Sequence, residues 1–148
     1  MFRDQDLQPL LDVQQNQLSF QLSVSDTMDT KALALLATDV AVLLFMGQAH
    51  LLLQWWGWVL SIACYLLSIL FGALAVWPRD YSGAGVALDD HPEYLNLKTD
   101  ELVLQLLADT QAAIDNNNTR NTYKSHFFTA SVVTCGLATI ALSVILMV

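Results

Sequence analysis

Apolar residues fall into two long blocks separated by polar sequence. The first covers residues 32–77, 46 positions with a single formal charge, Asp39. A helix crosses the hydrocarbon core of a bilayer in roughly 20 residues, so this block is too long for one crossing and fits two. Strongly polar side chains after Asp39 gather between Gly47 and Gln54, His50 among them, which puts a turn there. Trp55, Trp56 and Trp58 follow at once, and indole rings favour the membrane–water boundary. The pattern predicts a helical hairpin, about 32–52 and 56–77. The second block, 127–148, holds no charge over 22 residues and predicts a third span.

The polar segments are patterned too. In residues 1–30, Leu7, Leu11, Leu18 and Leu22 fall near helical spacing, while 18–25 alternates in the manner of a strand. A helix leading into the first span is expected, because a lone strand has no partner to pair with. After Pro78 and Arg79, the glycines at 83 and 85 and Pro92 read as loop. Asp89, Asp90, His91 and Glu93 in that loop lack a second histidine nearby and read as a solvated acidic stretch; no metal site is expected. Thr99 is placed to cap a helix, with Asp100 and Glu101 in its first turn, where the helix dipole favours acids. Leu102, Val103, Leu106, Leu107, Ala113 and Ile114 then form one apolar stripe that needs a partner, and the N-terminal segment is the obvious one. The three asparagines at 116–118 weaken helix propensity without forbidding continuation. The expected fold is an all-α integral membrane protein with three transmembrane helices, a hairpin plus a C-terminal span. Its parts are a cytoplasmic N-terminal helix at 1–31, the hairpin at 32–77, a cytoplasmic loop and helix at 78–125, and the third span at 126–148.

Composition agrees with this reading. The 148 residues are 55% hydrophobic and 14% charged, an apolar load that a water-soluble domain of this size could hardly bury. Charge then orients the spans. All six basic residues, Arg3, Lys31, Arg79, Lys98, Arg120 and Lys124, lie outside the hairpin turn and before the last span. The positive-inside rule puts their side in the cytoplasm, with the N-terminus inside and the C-terminus outside. That side also holds 13 of the 14 acids and so carries a net charge of −7. Such a face suits neither nucleic acid nor an anionic lipid surface. Cys64 and Cys135 lie within spans as small packing residues, and no apolar run behind the first six residues suggests a cleavable signal peptide. No nucleophile–base pair, zinc-protease helix or phosphate-binding loop is present. Enzyme activity is not expected, nor is a cofactor.

Two residues near the first span carry candidate chemistry. Lys31 at its entry can extend its ammonium to the headgroups. Asp39 lies about two turns deeper, where an ionised carboxylate costs about 2.5–3.5 kcal/mol on insertion scales. It is therefore expected to face the bundle interior, be paired, or be protonated. It either makes an interhelical hydrogen bond, for example to Ser61 or Ser68, or serves as a pore-lining or gating carboxylate.

The segment Asp29-Thr30-Lys31-Ala32-Leu33-Ala34-Leu35-Leu36-Ala37-Thr38-Asp39 resembles the D-x-K-A-x-x-L-L-A-x-N element of the transmembrane Pycsar effectors, bacterial anti-phage membrane proteins linked to cyclic pyrimidine mononucleotide signalling. The layout is similar as well: an N-terminal helix, a membrane hairpin, a cytoplasmic helical insert, and a lysine, here Lys124, just before a last span. The sequence departs from the element at Asp39, where the family pattern has asparagine. The resemblance implies a multi-pass protein of the bacterial inner membrane that binds a cyclic mononucleotide, works as a homo-oligomer on membrane lipid and impairs membrane integrity. Arg79, Lys98, Arg120 and Lys124 are the basic residues nearest the insert and the candidates for the ligand's phosphate. Asp29, Lys31 and Asp39 are the candidates for the membrane-embedded or gating element. The competing expectation is a structural or regulatory membrane subunit that docks a cytoplasmic protein on the insert's apolar stripe.

Overall fold

The computed structural model describes residues 4–48, 55–78, 81 and 97–147. It holds three helices, α1 (Asp4–Gln48), α2 (Trp55–Val76) and α3 (Thr99–Met147), and no strand among the described residues. The alternating stretch at 18–25 is helical: Leu18 and Ser25, seven residues apart, are buried, while Ser19, Phe20 and Ser23 are exposed. An alternating pattern specifies a strand only where another strand can pair with it. The asparagine run does not interrupt α3, which continues from the insert through the last apolar block over 49 residues. Its cap lies one residue earlier than expected. The Lys98 carbonyl accepts from the Leu102 N–H at 2.8 Å, and the Glu101 carboxylate accepts from the Lys98 N–H at 3.4 Å. Lys98 is therefore the N-cap, Thr99 the first helical residue, and Glu101 satisfies the backbone from the third position. α2 stops just before Pro78, which cannot continue a helix. The hairpin turn at 49–54, Arg79 and the acidic loop at 89–93 lie outside the described residues.

The chain divides into two compact units. The first draws on Met1–Ser25 and Arg79–Asn121. Here α1 and α3 run parallel. Gln14 Nε2 donates to Gln111 Oε1 at 3.2 Å, Gln21 Nε2 to the Ile114 carbonyl at 3.3 Å, and Asn121 Nδ2 to the Gln21 carbonyl at 3.2 Å. The stripe from Leu102 to Ile114 is half-buried to buried, as are Leu11, Leu18 and Leu22 on α1.

The second unit comprises Asp26–Pro78 and Thr122–Val148. Its α1 and α3 segments are again parallel, and α2 runs antiparallel to α3, as the pairs Ser68–Ser131 and Tyr65–Thr139 require. Buried positions recur every seven residues: Ala32, Asp39 and Met46 on α1; Ser61, Ser68 and Ala75 on α2; Lys124, Ser131 and Ala138 on α3. A seven-residue repeat is the seam of helices packed in coiled-coil fashion. Gly72 allows the closest approach. A Cβ built there would stand 3.0 Å from Leu36 Cγ and 3.3 Å from Ser131 Oγ, so one glycine brings all three helices together. Further along, Met46, Tyr65 and Ala138 form an apolar cluster packed by Trp58, Cys64, Cys135 and Leu142.

The polarity of this unit is inverted relative to a water-soluble bundle. Serines, a lysine and an aspartate are buried, while Leu44, Phe45, Leu60, Leu66, Leu137 and Ile140 are exposed. Exposed hydroxyls are also satisfied locally. Thr38 donates to the Ala34 carbonyl, Thr139 to that of Cys135 and Ser143 to that of Thr139, each at 2.8–2.9 Å. Helices in hydrocarbon must satisfy their polar groups internally in this way. All three helices are long and apolar enough to cross a membrane, as a membrane protein requires.

Candidate functional site

Two side chains expected to serve different roles are bonded to one another. Lys124 Nζ reaches both Asp29 oxygens, at 2.8 and 2.7 Å. The lysine is 3% exposed and the aspartate 30%. The pair follows from the parallel register of α1 and α3, which sets Asp29 beside Lys124 at the head of the second unit. Taking an ammonium out of water is costly, and a two-oxygen contact is the geometry that offsets it. Lys124 is thus committed to a carboxylate partner, and Lys31, two residues after Asp29, is exposed.

Asp39 has the opposite character. It is 0% exposed, and neither carboxyl oxygen has a hydrogen-bond partner. Its electrostatic neighbour across the interface is the Cys135 thiol of α3. The expected bond to Ser61 or Ser68 is not formed. Ser68 Oγ donates to the Ser131 carbonyl at 2.9 Å and Ser131 Oγ to the Ser68 carbonyl at 2.8 Å, so the two hydroxyls clasp α2 to α3. A serine has one proton to donate, and at the close approach beside Gly72 the facing carbonyl takes it. Ser61 is likewise 0% exposed, and its Oγ is also without a partner. The Trp58 indole N–H, one turn away from Ser61 on α2, is a third unsatisfied group.

The first unit carries a different constellation. Arg120 is half-buried, and its Nη1 is buried with no hydrogen-bond partner. Two acceptors of this unit are equally unsatisfied, Gln14 Oε1 and Gln21 Oε1. Asn121, one residue beyond Arg120, accepts from the Tyr81 hydroxyl at 3.1 Å while donating to Gln21. Asn117 is fully buried. Lys98 is exposed and serves α3 through its backbone. Of the four expected phosphate partners, then, one is outside the described residues, one exposed, one ion-paired, and Arg120 alone presents a desolvated, unsatisfied donor.

Gln14, Gln21, Asn117 and Asn121 were not among the expected site residues. The signal that finds two of them is spacing: Ile114 and Asn121 fall seven apart, as do Asn117 and Lys124, the same step that buries Ser131 and Ala138. Among the described residues no three histidine, cysteine or acidic side chains gather as metal ligands. Comparison with protein-family models, curated proteins and solved structures finds no match.

Proposed function

We propose that this chain is a non-enzymatic effector of the bacterial inner membrane, similar to the transmembrane Pycsar effectors, which assembles as a homo-oligomer and breaches the membrane after binding a cyclic mononucleotide. The observation that carries the reading is Asp39: a carboxyl sealed inside a bundle with an apolar exterior, with no bond to either oxygen. Such a group costs stability in a purely structural core and is useful where a second packing hydrates it. Arg120 is the residue we assign to the ligand's phosphate, because a phosphate would satisfy the buried guanidinium N–H. Amide side chains such as Gln21 and Gln14 suit the donor and acceptor edge of a pyrimidine. Binding would favour one of two packings of α1 and α3, both of which also enclose Asp39.

The test is dye release from proteoliposomes holding the full chain, titrated with the 3′,5′-cyclic mononucleotides of cytosine, uracil, adenine and guanine. We expect release with one pyrimidine nucleotide and at least about tenfold weaker response after Arg120→Ala, the weight of one charge-assisted phosphate contact. Silence with all four, in vesicles shown to hold folded protein, would sink the reading. One observation favours the docking subunit instead: Leu10, Val13 and Phe20 are exposed on the first unit, before the apolar block that begins at residue 32. In that case vesicles stay sealed.

A further inference from the structure

The seam of the second unit has a chemistry of its own. Asp39, Ser61, Ser68 and Ser131 are all 0% exposed and together contribute carboxylate and hydroxyl oxygens from all three helices. Two of the four are unsatisfied, Asp39 at both oxygens and Ser61 at Oγ. Charge along this seam is one-signed. Asp39 is the only formal charge in residues 32–77, residues 127–148 have none, and the one buried lysine of the unit is neutralised by Asp29. Outside the seam the spans show mostly hydrocarbon, and the exposed hydroxyls of Thr38, Thr139 and Ser143 are already bonded to carbonyls of their own helices. A water-filled path through this bundle is therefore best served along the buried face, where the one carboxylate of residues 32–77 lies.

We propose that the path opened by this protein conducts monovalent cations in preference to anions, with Asp39 as its selectivity carboxylate and the seam serines as neutral oxygen contacts. The proposal rests on the effector reading above. A carboxylate facing a narrow aqueous path attracts cations and repels anions, as acidic rings do in cation channels. Hydroxyl oxygens suit potassium or sodium. A divalent ion is less well served, since it takes several carboxylates or many oxygens and Asp39 is the seam's single acid.

The experiment is reversal potential in planar bilayers containing the full chain, under a potassium chloride gradient, with the four cyclic mononucleotides supplied in turn. We expect potassium to be preferred over chloride by at least about fivefold, the weight of one charge acting at about 4 Å in water. Asp39→Asn keeps the shape of the side chain and should bring that ratio close to unity while current persists; Asp39→Glu should retain the preference. Current that favours chloride, or a ratio that Asp39→Asn leaves unchanged, overturns the cation path and leaves the effector reading standing. No current with any nucleotide, in bilayers shown to hold folded protein, overturns both.

Discussion

At the scale of single residues, the two acids of α1 show how position decides chemistry. Asp29 and Asp39 are ten residues apart, yet one holds a lysine at 2.7 Å and the other faces a neutral thiol, that of Cys135. Losing one partner of a buried pair costs about 3–5 kcal/mol where the survivor stays desolvated. Asp29 is 30% exposed, so the lower end applies. Asp29→Ala should lower stability in detergent by about 3 kcal/mol, and the exchange Asp29→Lys with Lys124→Asp should recover part of it. Lys31→Ala, at an exposed position, should stay within about 0.5 kcal/mol. Thermal unfolding followed by circular dichroism separates these outcomes; equal losses at positions 29 and 31 would mean the ion pair is not what holds the helices there. That Asp39 faces inward was legible from charge alone. Its lack of a hydrogen bond was not, because the expectation gave Ser68 a free proton, and only the α2–α3 register shows that the Ser131 carbonyl receives it.

At the scale of elements, helix existence was written in the sequence more clearly than helix ends. The apolar blocks and the leucine spacing of residues 1–30 mark all three helices, and the stripe from Leu102 to Ile114 marks the face that is covered. The strand-like alternation at 18–25 yields to the expected helix: Leu18 and Ser25, which a strand would place on opposite faces, are both buried. The cap of α3 lies one residue earlier because the decisive contact is the Lys98 backbone N–H to the Glu101 side chain, which stands at the third helical position only when Lys98 is the cap. Packing at Gly72 gives a sharper test. Gly72→Val must displace Leu36 and Ser131 and should destabilise by about 1–3 kcal/mol, the range for overfilled cores. Leu36→Ala should relieve part of that loss when combined with it. Gly136 has open space around it, so Gly136→Ala should instead gain up to about 1 kcal/mol from helix propensity. Matching losses at the two glycines would remove the close-approach account.

At the scale of the whole molecule, the features that carry weight are compositional: three apolar helices, and six basic residues kept away from the hairpin turn and the last span. If all three helices cross, the two termini lie on opposite sides of the membrane. Alkaline phosphatase fused after Val148 should be active outside the cell membrane, and a fluorescent protein fused before Met1 should fold in the cytoplasm. A silent phosphatase fusion beside a fluorescent N-terminal fusion would leave an even number of crossings and undo the orientation drawn from the basic residues. The polar interior itself could not be foreseen from composition, since it depends on which face of each helix turns inward.

Three side-chain bonds that join helices among the described residues of the second unit have one end on α3: Asp29 to Lys124, Ser68 to Ser131, and Tyr65 to Thr139. Where α1 and α2 meet at Gly72, the contact is hydrocarbon, the Leu36 side chain. The unit is thus built like a book, with α3 as the spine and the two arms of the hairpin as its covers. Parting the covers from each other breaks none of these three bonds, and one cover carries Asp39 on its buried face.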